Sequence, residues 1–307
     1  METRRIGSLE VSVVGLGCNN FGRRVDAAGT AAVVDAALDA GVNFLDTADI
    51  YGGDGLSEEY LGRALQGRRE RVVLATKFGM KMDEQRQGAH PDYVRRAAED
   101  SLRRLRTDRI DLYQLHQPDP SVPIADTLGA MDELVKAGKV REIGCSNFSP
   151  AQLREAEDAV RPGGARFVSV QNEYSLIHRD PEQGVLDECE RLGIAFIPYF
   201  PLASGLLTGK YRRGQPVPQG ARLTEDRYAD KRSEQNLDLV ERLVAFCEAR
   251  GHTLLELAFS WLLTRRTVAS VIAGATRPEQ VHGNARAAGW TLSDEELAEV
   301  DRILAAA

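Results

Sequence analysis

The sequence predicts an α/β protein, and within that class a (β/α)8 barrel. Three observations carry the prediction. Short β-branched or apolar runs alternate with longer segments of helical period, the short runs number eight, and 307 residues accommodate eight βα units of about 250 residues plus insertions. A doubly wound open sheet is the rival architecture.

Taken in order, the strand-like runs are 11–17 (VSVVGLG), 41–46 (GVNFLD), 72–77 (VVLATK), 110–116 (IDLYQLH), 140–146 (VREIGCS), 167–171 (FVSVQ), 194–199 (IAFIPY) and 268–273 (VASVIA). Each is short, rich in Val, Ile, Leu or Phe, and bounded by polar or glycine-containing segments. Helical patterns separate them at 30–40, 57–66, 91–106, 124–137, 150–160, 181–192 and 234–250. Some carry explicit start signals, as at Ser149-Pro150, an N-cap followed by proline at the first helical position. The tail, 278–307, holds two further helical patterns and is expected to pack outside the barrel. No Pro/Gly/Ser-rich linker or charge block interrupts this rhythm, so residues 1–307 read as a single domain. The exception is 206–233, a polar Pro/Gly-containing stretch after the seventh run, expected to form a loop over the barrel mouth.

Composition narrows the function. With 39 Lys and Arg against 46 Asp and Glu, the net charge of −7 gives no electrostatic reason to expect nucleic acid or an anionic membrane as partner. The richest basic segment, 95–109, is interrupted by Glu99, Asp100 and Asp108 and reads as a solvated helix face. Cys18, Cys145, Cys189 and Cys247 are widely spaced without a CxxC pair, which indicates neither a zinc site nor a disulfide framework. The opening METRRIGSLE lacks an apolar h-region, and apolar stretches such as VASVIAGA fall short of a membrane span. The expected setting is cytoplasmic. Oligomeric state is not readable, since no heptad or conspicuous apolar helix face declares a dimer.

Active sites of (β/α)8 barrels lie on the loops that follow the strands, and these strand ends carry unusual chemistry. Asp46 and Tyr51 lie in FLDTADIYGG, Lys77 closes VVLATK, His116 closes DLYQLH, Ser146 and Asn147 close GCSN, Gln171 closes SVQ, and Tyr199 closes FIPY. Each alone reads as a surface charge, a satisfied histidine or a rim aromatic. Placed at successive strand ends of one barrel, Asp46, Tyr51, Lys77 and His116 converge on one pocket. A lysine ammonium lowers a neighbouring phenol's pKa and makes Tyr51 a usable general acid. Reduction on this reading falls as pH rises through that lowered value. Asp46 holds Lys77 charged and oriented, and His116 polarises a carbonyl oxygen.

That arrangement supplies half of a carbonyl reduction, and no side chain donates a hydride, so a nicotinamide or flavin cofactor is required. GLGCNNFG at 15–22 has GxG without the glycine of a Rossmann fingerprint, and GLLTGKY at 205–211 is one residue short of a P-loop. Ser146, Asn147 and Gln171 can bond a carboxamide and Tyr199 can stack on a flat ring. After the eighth run, GATRPE joins a glycine turn to a helix start, a common phosphate site in barrels, where the planar fork of Arg277 suits a 2′-phosphate or simply caps the helix start on the surface.

The chain resembles the aldo-keto reductases over essentially its whole length, through GLGCNNFG, GVNFLDTADIYGGDGLSEEYLGRAL, VVLATKFG, DRIDLYQLHQPDP, GKVREIGCSNFS, VQNEYSLIHRDPEQGVLDEC, IPYFPLASGLLTGKY and IAGATRPEQVHGN. The resemblance implies a barrel capped at its base by an N-terminal hairpin at 3–14 and a catalytic tetrad of Asp46, Tyr51, Lys77 and His116. It implies an NADPH-dependent reductase of small-molecule aldehydes or ketones, NADH being the less favoured cofactor. Cofactor contacts fall by the same resemblance on Gly17, Cys18, Asp46, Ser146, Asn147, Gln171, Tyr199, Phe200, Pro201, Leu202, Ser204, Gly205, Leu206 and Lys210. At the adenosine end they fall on Gly274, Thr276, Arg277, Gln280 and Asn284. The last group is similar to the bacterial and potassium-channel-β-like branch; a Lys-Ser pair of the better-known eukaryotic pattern is replaced here by Gly274 and Ala275. His116, where steroid C=C reductases of the family carry an acid, favours carbonyl chemistry. The channel-β relatives also imply an alternative, an NADP(H)-sensing partner with little turnover. No metal is implied. The substrate pocket is finished by loops 19–24, 79–88, 117–122 and 206–233, and Phe21, Phe78 and Met80 either line it or pack the core; Tyr113 and Trp261 read as packing residues.

Overall fold

The computed structural model describes residues 1–218, 221–225 and 231–305. The expected hairpin is formed by β1 (Thr3–Ile6) and β2 (Leu9–Ser12), paired antiparallel. Eight parallel strands follow in one sheet: β3 (Val14–Gly17), β4 (Phe44–Asp46), β5 (Val73–Phe78), β6 (Ile110–Leu115), β7 (Val140–Ser146), β8 (Phe167–Glu173), β9 (Ala195–Tyr199) and β10 (Val271–Gly274). β10 pairs with β3 at one end, and at the other Phe196 bridges Val268, its amide donating to the Thr267 carbonyl at 2.7 Å and its carbonyl accepting from Ala269. The sheet thereby closes, and the protein is a (β/α)8 barrel.

The helices cover the outside: α1 (Ala27–Asp39), α2 (Leu56–Ala64), α3 (Pro91–Leu105), α4 (Ile124–Lys136), α5 (Pro150–Asp158), α6 (Val185–Leu192), α7 (Glu234–Glu248), α8 (Leu254–Leu263), α9 (Pro278–Arg286) and α10 (Asp294–Ala305). Ser149 and Gln152 form the capping box that starts α5, with Pro150 at its first position as the sequence indicates. Among the described residues no helix is long and apolar enough to cross a membrane.

Three elements differ from the sequence reading. The run 11–17 is two strands, because residues 11–12 pair within the hairpin while β3 joins the barrel; both halves are buried, so their apolar character hides the break. The pattern 181–192 splits at Gly184, whose φ of 109° precedes α6. Helix α8 lies where the sequence reading places no element. Leu257, Ala258, Phe259, Ser260, Trp261 and Leu262 are all buried, so LLELAFSWLL lacks the polar stripe that betrays an amphipathic helix, although Thr253 and Glu256 form its capping box. Of the loop 206–233, residues 219–220 and 226–230 lie outside the described residues.

Apolar packing has two compartments. Ile6, Leu9 and Val11 of the hairpin plug the barrel base against Phe44, Val73, Leu112 and Ile197. A larger cluster, including Tyr113 and Trp261, fills the space between sheet and helices. Close approach is strict at Gly62 in α2, where a Cβ would lie 2.5 Å from the Arg104 carbonyl oxygen and 2.7 Å from the Leu105 carbonyl carbon. Gly62→Ala is therefore expected to separate α2 from α3 and destabilise the protein by about 1–3 kcal/mol. A denaturant midpoint equal to that of the parent would contradict this packing.

Candidate active site

Strand parity brings the predicted residues together. Phe44, Val73, Ala75, Leu112 and Ile197 face the barrel interior, whereas Leu45, Leu74 and Tyr113 face the helices. Continuing the inward parity toward the C-terminal ends gives Asp46, Lys77, Gln114, His116 and Tyr199. Tyr51 comes from the turn after β4, held by its amide to the Ala48 carbonyl (3.1 Å) and its carbonyl to the Ser57 amide (3.2 Å). Gly52, at φ 79°, is required there, since a Cβ would sit 2.7 Å from the Phe21 carbonyl oxygen.

At the centre, the Lys77 Nζ donates to Asp46 Oδ2 and, at 3.0 Å, to the Thr47 carbonyl. Asp46 Oδ1 accepts from Gln171 Nε2 (3.0 Å) and from Gln114 Nε2 (3.1 Å). Lys77 is fully buried and Asp46 is 2% exposed. Such a pair is tolerable because the remaining carboxylate lone pairs are satisfied by the two amides. The Lys77 Nζ lies 5.2 Å from the Tyr51 ring centroid, and the rings of Tyr51 and His116 meet edge to face at 5.7 Å.

Electrostatics follow from this burial. Desolvation pulls the Lys77 ammonium down, but Asp46 and then Tyr51 more than offset it, so its pKa lies above the ordinary lysine value. His116 is driven well below the histidine range by burial and then by Lys77, leaving a neutral imidazole whose buried Nδ1 has no hydrogen-bond partner among the described residues. Tyr51 corrects the sequence expectation. Burial raises its phenol pKa and outweighs the lowering by Lys77. The proton therefore stays on Tyr51 throughout the neutral range.

The tetrad opens into a cavity of about 430 Å³. Asp46, Tyr51 and His116 line it, as do Gly17, Cys18, Ser146, Asn147, Gln171, Tyr199, Phe200, Pro201, Leu202, Ser204, Gly205, Lys210, Gly274, Thr276, Gln280 and Asn284. Lys77 lies beneath this wall. Two predicted cofactor residues stand apart from it: Leu206 is fully buried in the outer core, and Arg277 is 70% exposed, 4.0 Å from Glu279. Of the three pocket candidates, Met80 lines the cavity while Phe21 and Phe78 are core residues.

Asn147, in a left-handed conformation (φ 62°), donates to the His116 carbonyl at 2.9 Å and accepts from the Tyr199 hydroxyl at 2.8 Å. Ser146 Oγ donates to the Gln171 carbonyl at 2.7 Å. Beyond β9, Phe200, Ala203 and Ser204 also have positive φ, strained conformations of the kind that collect at ligand-binding segments. Among the described residues, buried Ser204 Oγ has no hydrogen-bond partner. Elsewhere in the wall Arg222 donates to Asn20 Oδ1 at 2.6 Å, joining the loops after β9 and β3. Lys210 is lowered by burial and then by Arg24, Arg277 and Arg222, which marks one end of the cavity as strongly cationic.

Gln114 and Arg222 are site residues that the sequence reading does not single out. Gln114 was accessible by parity, two residues before His116 on the same strand face. Arg222 gives no local signal, because only the folded loop carries it to the wall.

The sequence model of the Aldo/keto reductase family matches residues 13–305. Aldo-keto reductase YhdN of Bacillus subtilis (strain 168) is 35% identical over 306 residues, covering 96% of this chain and 91% of that protein. Among solved structures, the glycerol dehydrogenase AKR11B4 from Gluconobacter oxydans superposes with a TM-score of 0.85 at 33% identity, over 99% of this chain and 95% of that one. The aldo-keto reductase AKR11C1 from Bacillus halodurans, in its holo form, gives 0.82 at 33% identity, over 99% and 96%.

Proposed function

The chain belongs to the aldo/keto reductase family and is an oxidoreductase, and we propose that it reduces aldehydes or ketones to alcohols with NADPH, using Tyr51 as general acid. The observation that carries this reading is the buried Lys77–Asp46 pair beside Tyr51, with neutral His116 edge-on to the same phenol at the cavity wall.

The donor set fits the dinucleotide. Polar Ser146, Asn147 and Gln171 and the Tyr199 ring match a carboxamide-bearing ring at one end, and Lys210 with Arg24 and Arg222 matches phosphates at the other. When bound, the reduced nicotinamide supplies a hydride to the carbonyl carbon. Tyr51 gives its proton to the carbonyl oxygen as negative charge develops there. Lys77 stabilises the phenolate that remains, and Asp46, fixed by Gln114 and Gln171, keeps Lys77 charged and in place. Neutral His116 can place a ring N–H against the same oxygen. Four buried free thiols accord with a reducing, cytoplasmic setting.

Following the loss of reduced-nicotinamide absorbance with a panel of aldehydes and ketones tests the reading. Cofactor binding without turnover of any member would favour the rival role of cofactor sensor. Cofactor preference is separately testable at Arg277, which lies within electrostatic reach of Lys210. Arg277→Ala is expected to raise the KM for NADPH by about tenfold, the worth of one charged hydrogen bond, while the KM for NADH stays close to the parent value. Equal losses for both cofactors would remove Arg277 from the 2′-phosphate.

A further inference from the structure

Behind Tyr51, on the helix side of the barrel, lies a buried charged cluster that the tetrad does not use. Asp49 is 2% exposed, Glu58 of α2 fully buried, and Tyr93 of α3 7% exposed. The Tyr93 hydroxyl donates to Asp49 Oδ2 at 3.3 Å, while buried Asp49 Oδ1 has no hydrogen-bond partner among the described residues. Glu58 has both oxygens satisfied, by Thr76 Oγ1 at 2.5 Å and Arg104 Nε at 2.6 Å. Among the described residues, Arg104 is thus bonded to Glu58 and reaches Asp49 only through space, so an ionised Asp49 would have no ion-pair partner of its own.

The groups facing Asp49 are Glu58 from α2, Tyr93 and Arg104 from α3, and Tyr113 from β6; Arg86 and Arg96 stand beyond Tyr93, and Asp100 beside Arg104. The ammonium of Lys77, on β5, is turned away to Asp46. Desolvation first, and then Glu58, raise the Asp49 carboxyl to about 7. Its backbone, meanwhile, connects two tetrad members: the Asp49 amide donates to the Lys77 carbonyl at 3.0 Å, and Tyr51 follows two residues later in a turn closed on Ala48.

We propose that Asp49 is a positioning residue for Tyr51 and acts as the neutral acid, its proton keeping the turn between Lys77 and Tyr51 seated against α2 and α3. Ionised, it places a second negative charge beside Glu58 away from water, which drives the side chain outward and unseats the turn. The cost falls on kcat rather than on cofactor KM, because Asp49 does not line the cavity.

The proposal rests on the reductase reading for its kinetic readout. For the parent, kcat is expected to fall on the order of three- to tenfold as pH rises through about 7, a population shift of the seated turn. Asp49→Asn, permanently neutral, should keep the low-pH rate through that range. Tyr93→Phe removes a hydrogen bond that favours the ionised form and should move the fall to higher pH. The same fall in all three proteins overturns the proposal, as does an Asp49→Asn variant that is slower and less stable but retains it. Stability supplies a readout without turnover. A carboxyl raised in the folded state stabilises below its unfolded value of about 3.8, and that contribution is lost as pH rises through about 7. The parent's Tm should therefore decline relative to Asp49→Asn over that window. Should no carbonyl be turned over, that relative decline still shows the Asp49 proton, and its absence overturns the inference independently of the reductase reading.

Discussion

Tyr51→Phe is expected to lower carbonyl reduction by about 10²- to 10⁴-fold, the usual worth of a positioned general acid, with cofactor affinity close to that of the parent. The substitution keeps the ring that packs edge to face on His116 and beneath which Lys77 lies, and removes one hydroxyl. Because burial holds the phenol protonated through the neutral range, the acid should not itself produce a decline in rate there. Any alkaline limb assigned to Tyr51 belongs above the ordinary tyrosine value of about 10. Single-turnover rates and fluorescence titration of NADPH separate the two effects. Turnover retained within about tenfold by Tyr51→Phe would dismiss the tyrosine as the acid.

Lys77→Met combines a catalytic loss with a structural one. It removes the cation that stabilises the Tyr51 phenolate and leaves the Asp46 carboxylate buried with only the two amides of Gln114 and Gln171. An uncompensated buried charge costs about 3–5 kcal/mol, so a large fall in Tm should accompany loss of reduction. Adding Asp46→Asn to Lys77→Met should restore much of the stability, since the orphaned charge disappears, without restoring turnover. Unchanged thermal stability of the single variant would mean that Asp46 finds another partner and that the pair contributes nothing to stability.

Asp46, Lys77 and His116 were legible because each sits at or just after a strand end with inward parity, which is a property of the chain, and Tyr51 because it follows in the turn after β4. FLDTADIYGG illustrates this: Asp46 ends β4 facing inward, Gly52 makes the turn that lifts Tyr51 to the mouth, and Asp49 points to the helix layer. Arg277 was less well served. Its place at the start of α9 follows from the Thr-Arg-Pro sequence, but its exposed side chain, 4.0 Å from Glu279, is not among the residues that line the cavity. Leu206 likewise belongs to a segment with the right motif, yet its own side chain turns into the core.

The sequence by itself determined the alternation of eight strands with helices and the placement of Asp46, Lys77 and His116 at strand ends, with Tyr51 in the turn after one of them. These follow from period, order and side-chain type, which are one-dimensional. Only the tertiary structure decided that burial overrides Lys77 at Tyr51, that Gln114 braces Asp46, that α8 exists within an apolar run, and that Asp49 is buried near Glu58, whose carboxylate holds Arg104. Each of these depends on how much water is removed and on which distant segments meet, and both are properties of three-dimensional contact rather than of residue order.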